Sequence, residues 1–138
     1  MLLPLAARYT HDEARALAEA VARTVAAELP QLATVTRPIA GRGDKVYVDF
    51  LQNGRGKLIA APLCVRPRPG APVSMPLAWR EVTSRLAPSR YTIRTAVARL
   101  ARNGDPMRAL LGPGIDALSL LEGLTRRLET AGSPDRKP

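Results

Sequence analysis

The sequence predicts an α+β fold in which a few strands pack with about four helices and the sheet is incomplete within the chain. Two observations carry this. In Lys45-Val46-Tyr47-Val48-Asp49-Phe50 apolar and polar residues alternate, which places Val46, Val48 and Phe50 on one face of a strand and Lys45, Tyr47 and Asp49 on the other. On both sides of that strand, apolar residues recur at helical spacing. A chain of 138 residues is one domain's worth, assigned here to 1–131 with a polar, disordered tail at 132–138. Apolar residues make up 46% but aromatics only 4%, with Ala and Leu supplying much of the bulk. Such a core is helical and lightly packed.

In chain order, Met1–Leu5 reads as an extended entry whose Leu2, Leu3 and Leu5 need cover. Thr10-His11-Asp12-Glu13 is a helix start, with Thr10 as cap and Glu13 completing a capping box. Ala14, Leu17, Ala18, Val21, Val25 and Leu29 then mark one face, and Pro30 ends the helix. Leu32–Thr36 is a short strand, followed by a linker and the central strand. Leu58–Val65 is apolar apart from Pro62, so it reads as an edge strand or as irregular packing. Pro67, Pro69, Pro72 and Pro76 make the next segment stiff and extended. Leu77, Trp79, Val82 and Leu86 suggest a short helix, with Trp79 packed rather than free to stack on bases. Ile93, Val97, Leu100 and Ala101 give another helix, ended by Gly104, and Asp105-Pro106 caps a short turn. After Gly112-Pro113-Gly114, Ile115, Leu118, Leu121, Leu124 and Leu128 form a last amphipathic helix, with Arg126 and Arg127 complementing its C-terminal dipole.

Chemistry concentrates between Gly43 and Gly70. Asp is depleted in strands, so Asp49 at the end of one stands out, and Gln52, Asn53, Gly54, Arg55, Gly56 and Lys57 follow it directly. The residue types suit an anion cradle beside a metal ligand. They equally suit a hairpin turn at Asn53-Gly54 with Asp49 paired to Lys45 or Arg66. The chain carries 21 Lys+Arg against 12 Asp+Glu, and Gly41–Gly70 holds six cations against two carboxylates. A field of this sign attracts nucleic acid, nucleotide phosphates or an anionic surface. Cys64 is the only cysteine, so an internal disulfide is excluded and no thiolate set exists for zinc; it reads as a small buried apolar residue. His11, the only histidine, lies in the first turn of a helix and reads as a solvated side chain. No apolar run reaches membrane-spanning length, which gives a cytoplasmic, nucleoid-associated expectation and no membrane partner.

The run KVYVDFLQNGRGKLIAAPLCVRPRPGAPVSMPLAW, continued by YTIRTAVARLARNGDP, resembles the C-terminal half of the polymerase domain of bacterial DNA ligase D, in the archaeo-eukaryotic primase superfamily. The likeness extends from Leu2-Leu3-Pro4-Leu5 through Pro106. It implies part of a primase-polymerase fold and metal-dependent nucleotidyl transfer to DNA ends in end-joining repair. By resemblance, Asp49 matches the third of three carboxylates that hold divalent cations, Mn or Mg, while Arg42, Gln52 and Arg66 match triphosphate-binding positions. Ile39 stands where many relatives carry a lysine. The upstream Asp-x-Asp and Ser-x-His motifs of the family are not in the sequence. The expectation is therefore a C-terminal half-domain, inactive as an enzyme without an N-terminal half, with DNA ends and nucleoside triphosphates as partners and the cations held only in a completed domain. Its exposed sheet edge and uncovered Leu2, Leu3 and Leu5 predict instability or association. The alternatives are a non-catalytic basic module that binds DNA or nucleotides, and an inactive gene fragment.

Overall fold

The computed structural model describes residues 1–131; the tail expected to be disordered, 132–138, lies outside them. The elements in order are α1 (His11–Glu28), β1 (Ala33–Thr34), β2 (Val46–Tyr47), α2 (Ile93–Asn103) and α3 (Ala117–Ala131), with 3-10 turns at Ile39–Gly41, Trp79–Glu81, Pro88–Arg90 and Pro106–Leu111. The α+β class is as the sequence predicts. The chain divides into two compact units: one holds Leu5–Leu58 and the residues from Ile115 on, the other Met1–Pro4 and Ile59–Gly114.

In the first unit α1 begins as expected. Thr10 Oγ1 accepts from the Glu13 amide at 3.2 Å, and Glu13 Oε2 accepts from the Thr10 amide at 2.7 Å, so two otherwise orphaned donors are satisfied reciprocally. α1 packs on both α3 and β1. Leu17, Ala20, Ala22 and Thr24 are therefore its buried residues, and Thr24 meets its own need by donating to the Ala20 carbonyl at 2.8 Å. α3 starts at Asp116, whose Oδ1 accepts from the Leu118 and Ser119 amides. Tyr9 Oη accepts from Ala117 N at 3.0 Å, and Arg127 meets Glu28 at 2.6 Å. These contacts join start to start and end to end, so the two helices run parallel. Two expectations change here. Arg127 pairs with α1 instead of serving only its own helix end, and the packed stripe of α3 is Ala117, Leu121, Leu124 and Leu128, with Leu118 at 52% exposure turned away.

In the second unit three short segments lie side by side. Ser74 N donates to Cys64 O and Arg66 N to Pro72 O, while on the other side Val73 N donates to Tyr91 O and Ile93 N to Ala71 O. Val65 and Thr92 each make an antiparallel bridge to the middle segment, and Val73 at its centre is buried. Leu58–Val65 is thus irregular packing with one bridge. The proline-rich stretch turns back on itself rather than running extended. Ala71 N donates to Arg68 O across a turn that takes Gly70 and Ala71 to positive φ, a conformation glycine accepts and alanine adopts under strain.

Only a single 3-10 turn, Trp79–Glu81, forms where a helix over Leu77–Leu86 was expected, and Trp79 is 73% exposed. Thr83 and Ser84 weaken a helix there and Pro88 closes the space for one. α2 does form, capped by Thr92 and ended by Gly104 at φ 70°. Its expected apolar face is mostly open: Ile93 and Val97 are exposed, and Ala96 is the buried residue. Cys64 is half-buried, its Sγ 3.5 Å from Ser74 Oγ.

The core is light, as composition implied. Its buried apolar residues are Leu17, Ala20, Ala22, Ala33, Val73, Ala96 and Ala117, and none of the larger side chains described is fully enclosed. Each alanine removes little more than one methyl group from water, about 1 kcal/mol apiece.

Candidate functional site

Parallel pairing of β1 with β2, with Ala33 opposite Val46 and Thr34 opposite Tyr47, fixes where Asp49 emerges. Val46 N donates to Leu32 O at 2.8 Å and Val48 N to Thr34 O at 2.9 Å, after which the ladder ends. Asp49 is exposed at that end, and its Oδ1 accepts from Leu51 N at 3.0 Å, an Asx turn that starts the following loop. Asn53 continues the turn, both its amide N and its side-chain Nδ2 donating to Phe50 O. Lys57 N then donates to Gly54 O, and Gly56 sits at φ 72°. No strand returns along β2, so the hairpin reading of Asn53-Gly54 does not hold; consecutive turns use up the backbone groups a hairpin would need. Asp49 makes no ion pair within its unit. Gln52, Arg55 and Lys57 all point their exposure to the same loop.

Arg42 enters from the crossover between the strands. Its Nε donates to Thr36 O at 3.1 Å and its Nη2 to Arg37 O, and the guanidinium lies 4.2 Å from the centroid of the Tyr47 ring. The crossover is pinned to β2 by this stack, which leaves the Nη1 edge of the guanidinium for another acceptor. Sequence reasoning did not single out Tyr47. The available signal was an aromatic residue on the polar face of a strand that follows an arginine. Ile39, in the turn before Arg42, is 82% exposed.

Arg66 belongs to the other unit. It is exposed, and with Arg68 it lines an open cavity of about 560 Å³ whose other walls include Met75, Leu77, Leu86 and Tyr91. Of the four candidates, the structure thus gathers Arg42, Asp49 and Gln52 in one unit around β2 and its loop, and sets Arg66 in the second.

A pair of divalent cations does not fit the residues described. No three carboxylate, histidine or cysteine side chains among them come together. Asp49 offers one carboxylate with an oxygen already accepting a backbone amide, whereas each hard cation takes about six oxygen ligands.

Comparison with known proteins agrees with the fold and the loop. Residues 1–107 match the family model of the LigD primase-polymerase domain. The bifunctional non-homologous end joining protein LigD of Bacillus subtilis (strain 168) is 36% identical over 98 residues, covering 71% of this chain and 16% of that protein. The multifunctional LigD of Pseudomonas aeruginosa PAO1 is 32% identical over 100 residues, covering 72% and 12%. Among solved structures, the polymerase domain from Mycobacterium tuberculosis ligase D in complex with DNA superposes with a TM-score of 0.69 at 30% identity, covering 77% of this chain and 37% of that one. The chain therefore spans under a fifth of these two relatives and just over a third of the solved domain. With the parallel strand pair, the Asp49 loop and a match across more than three quarters of its length, the chain belongs to the LigD primase-polymerase domain family.

Proposed function

We propose that this chain supplies the later strands and triphosphate-facing side of a LigD-type primase-polymerase domain, which adds nucleotides to DNA ends in end-joining repair. The observation that carries the reading is the family match across residues 1–107 together with Asp49, exposed where β2 ends and followed by a loop bearing Gln52, Arg55 and Lys57. Asp49 contributes one carboxylate toward a divalent cation, Mn or Mg, and the remaining carboxylates come from an N-terminal half-domain. Arg42, Gln52 and Arg66 contact the triphosphate, since guanidinium forks grip phosphate oxygens in pairs. The cation, when bound, neutralises charge on the transferring phosphoryl group.

The test is complementation. With an N-terminal half carrying the Asp-x-Asp motif added in trans, the chain restores cation-dependent primer extension; alone it gives none. Asp49→Asn keeps shape and removes the charge, so it abolishes extension while co-purification of the halves persists. Arg66→Ala chiefly raises the nucleotide KM. An assembled Asp49→Asn enzyme that extends primers at the original rate overturns the assignment.

A second reading, a non-catalytic basic module for DNA or nucleotide phosphates, is favoured by the lack of a carboxylate cluster among the described residues. It predicts DNA binding that is weak, indifferent to sequence and lost on a modest rise in salt through counterion release. Extension in the complemented assay separates the two.

A further inference from the structure

β2 is bare on one edge and on part of one face. Val46 and Val48 direct their amides to β1, so in a parallel ladder the residue between them, Tyr47, turns its own N–H and C=O to the opposite edge, where the two-stranded sheet has no further strand. Register partners share a face, yet Ala33 is 7% exposed and its partner Val46 is 68% exposed. α1 packs on β1, and its cover stops short of Val46. An open edge flanked by an uncovered apolar side chain is a template for another strand.

The residues around Tyr47 say which strand. When a strand pairs antiparallel with its own copy about a twofold axis through Tyr47, each residue before Tyr47 faces the residue equally far beyond it in the copy. In Lys45-Val46-Tyr47-Val48-Asp49 this puts Lys45 of each copy against Asp49 of the other, and Val46 against Val48. Lys45 and Asp49 are both exposed and take no part in ion pairs within their unit. The two Tyr47 residues exchange N–H···O bonds, and Asp49 N–H meets the Lys45 carbonyl on each side. The segment is complementary to itself in backbone, charge and apolar contact at one register only.

We infer that β2 is a self-association edge, joining two copies of this chain into a sheet ordered β1-β2-β2-β1, with Lys45 and Asp49 setting the register. The inference rests on the strand edge and not on the proposed polymerase role.

Sedimentation equilibrium of the 138-residue chain at micromolar concentrations tests it. The wild-type chain shows a monomer–dimer equilibrium. Lys45→Asp and Asp49→Lys each set two like-charged pairs across the axis and raise the dimer Kd by roughly ten-fold. An equimolar mixture of the two variants recovers wild-type affinity as a heterodimer, which shows that both chains are folded, and the double exchange on one chain recovers it too. The proposal fails if the wild-type chain stays monomeric, if both reversals dimerise as well as wild type because copies meet through another apolar surface, or if the mixture binds no tighter than either variant alone.

Discussion

The two units solve the same problem differently. In the unit built on α1 and α3, each amphipathic helix finds an apolar partner inside the chain, and capping, interhelical ion pairing and helix packing all act on the same two elements. In the unit built on α2, the helix forms with equally good caps but has Ala96 as its buried residue, and order comes from backbone bonds among three short segments around Val73. The contrast teaches that local helix signals and burial are separable. Thr92 and Gly104 are enough to define where α2 begins and ends, while nothing in them supplies a neighbour for Ile93 or Val97.

Truncating apolar side chains breaks the comparison most strongly. Leu17→Ala, at 2% exposure on α1, is expected to cost about 2 to 3 kcal/mol. Val97→Ala, at 72% exposure on α2, should stay within about 0.5 kcal/mol. Urea unfolding followed by far-ultraviolet circular dichroism measures both, and equal losses would mean that α2 is packed far better than its exposure indicates.

Cap removal sharpens the comparison at a smaller scale. Thr10→Ala and Thr92→Ala should each cost about 1 kcal/mol, because the bonds they delete are local and alike in kind. The consequence differs between units. Hydrogen exchange should rise through the first turn of α1 only, since α3 holds the rest, but along most of α2. Protection retained beyond the first turn of α2 after Thr92→Ala would contradict this.

The smallest effect is acid sensitivity. The Thr10 amide and hydroxyl hold the Glu13 carboxyl below its ordinary value of 4.5, the Ser119 amide and hydroxyl lower Asp116 from 3.8, and the Ala78 amide and then the Arg99 guanidinium lower Glu81. A depressed folded-state value means that the unfolded chain binds the proton more readily. The stability these groups contribute is present above their ordinary values and is lost as pH falls through the lowered ones. The urea midpoint should therefore decline on acidification below pH about 4.5, and Glu13→Gln should flatten that decline for α1 while leaving α2 unchanged. A midpoint that rises on acidification would reverse the sign.

What the sequence settled by itself are features whose causes lie within a few residues. Thr10 with Glu13 and then Pro30 bound α1, Gly104 ends α2, Asp105 caps the turn after it, and the alternation around Tyr47 places β2 with Asp49 at its end. Asp49, Gln52, Arg55 and Lys57 share a loop for the same reason, and that much of the candidate site was legible. Tertiary structure decided what each face meets. Ala117 rather than Leu118 turns toward α1, Arg127 reaches Glu28 across a helix pair, Arg42 spends two donors on the Thr36 and Arg37 carbonyls beneath Tyr47, and Trp79 and Val46 are left in the open. Periodicity states that a residue belongs to an apolar stripe, but burial depends on which element arrives opposite it, and that is fixed by residues tens of positions away in the chain.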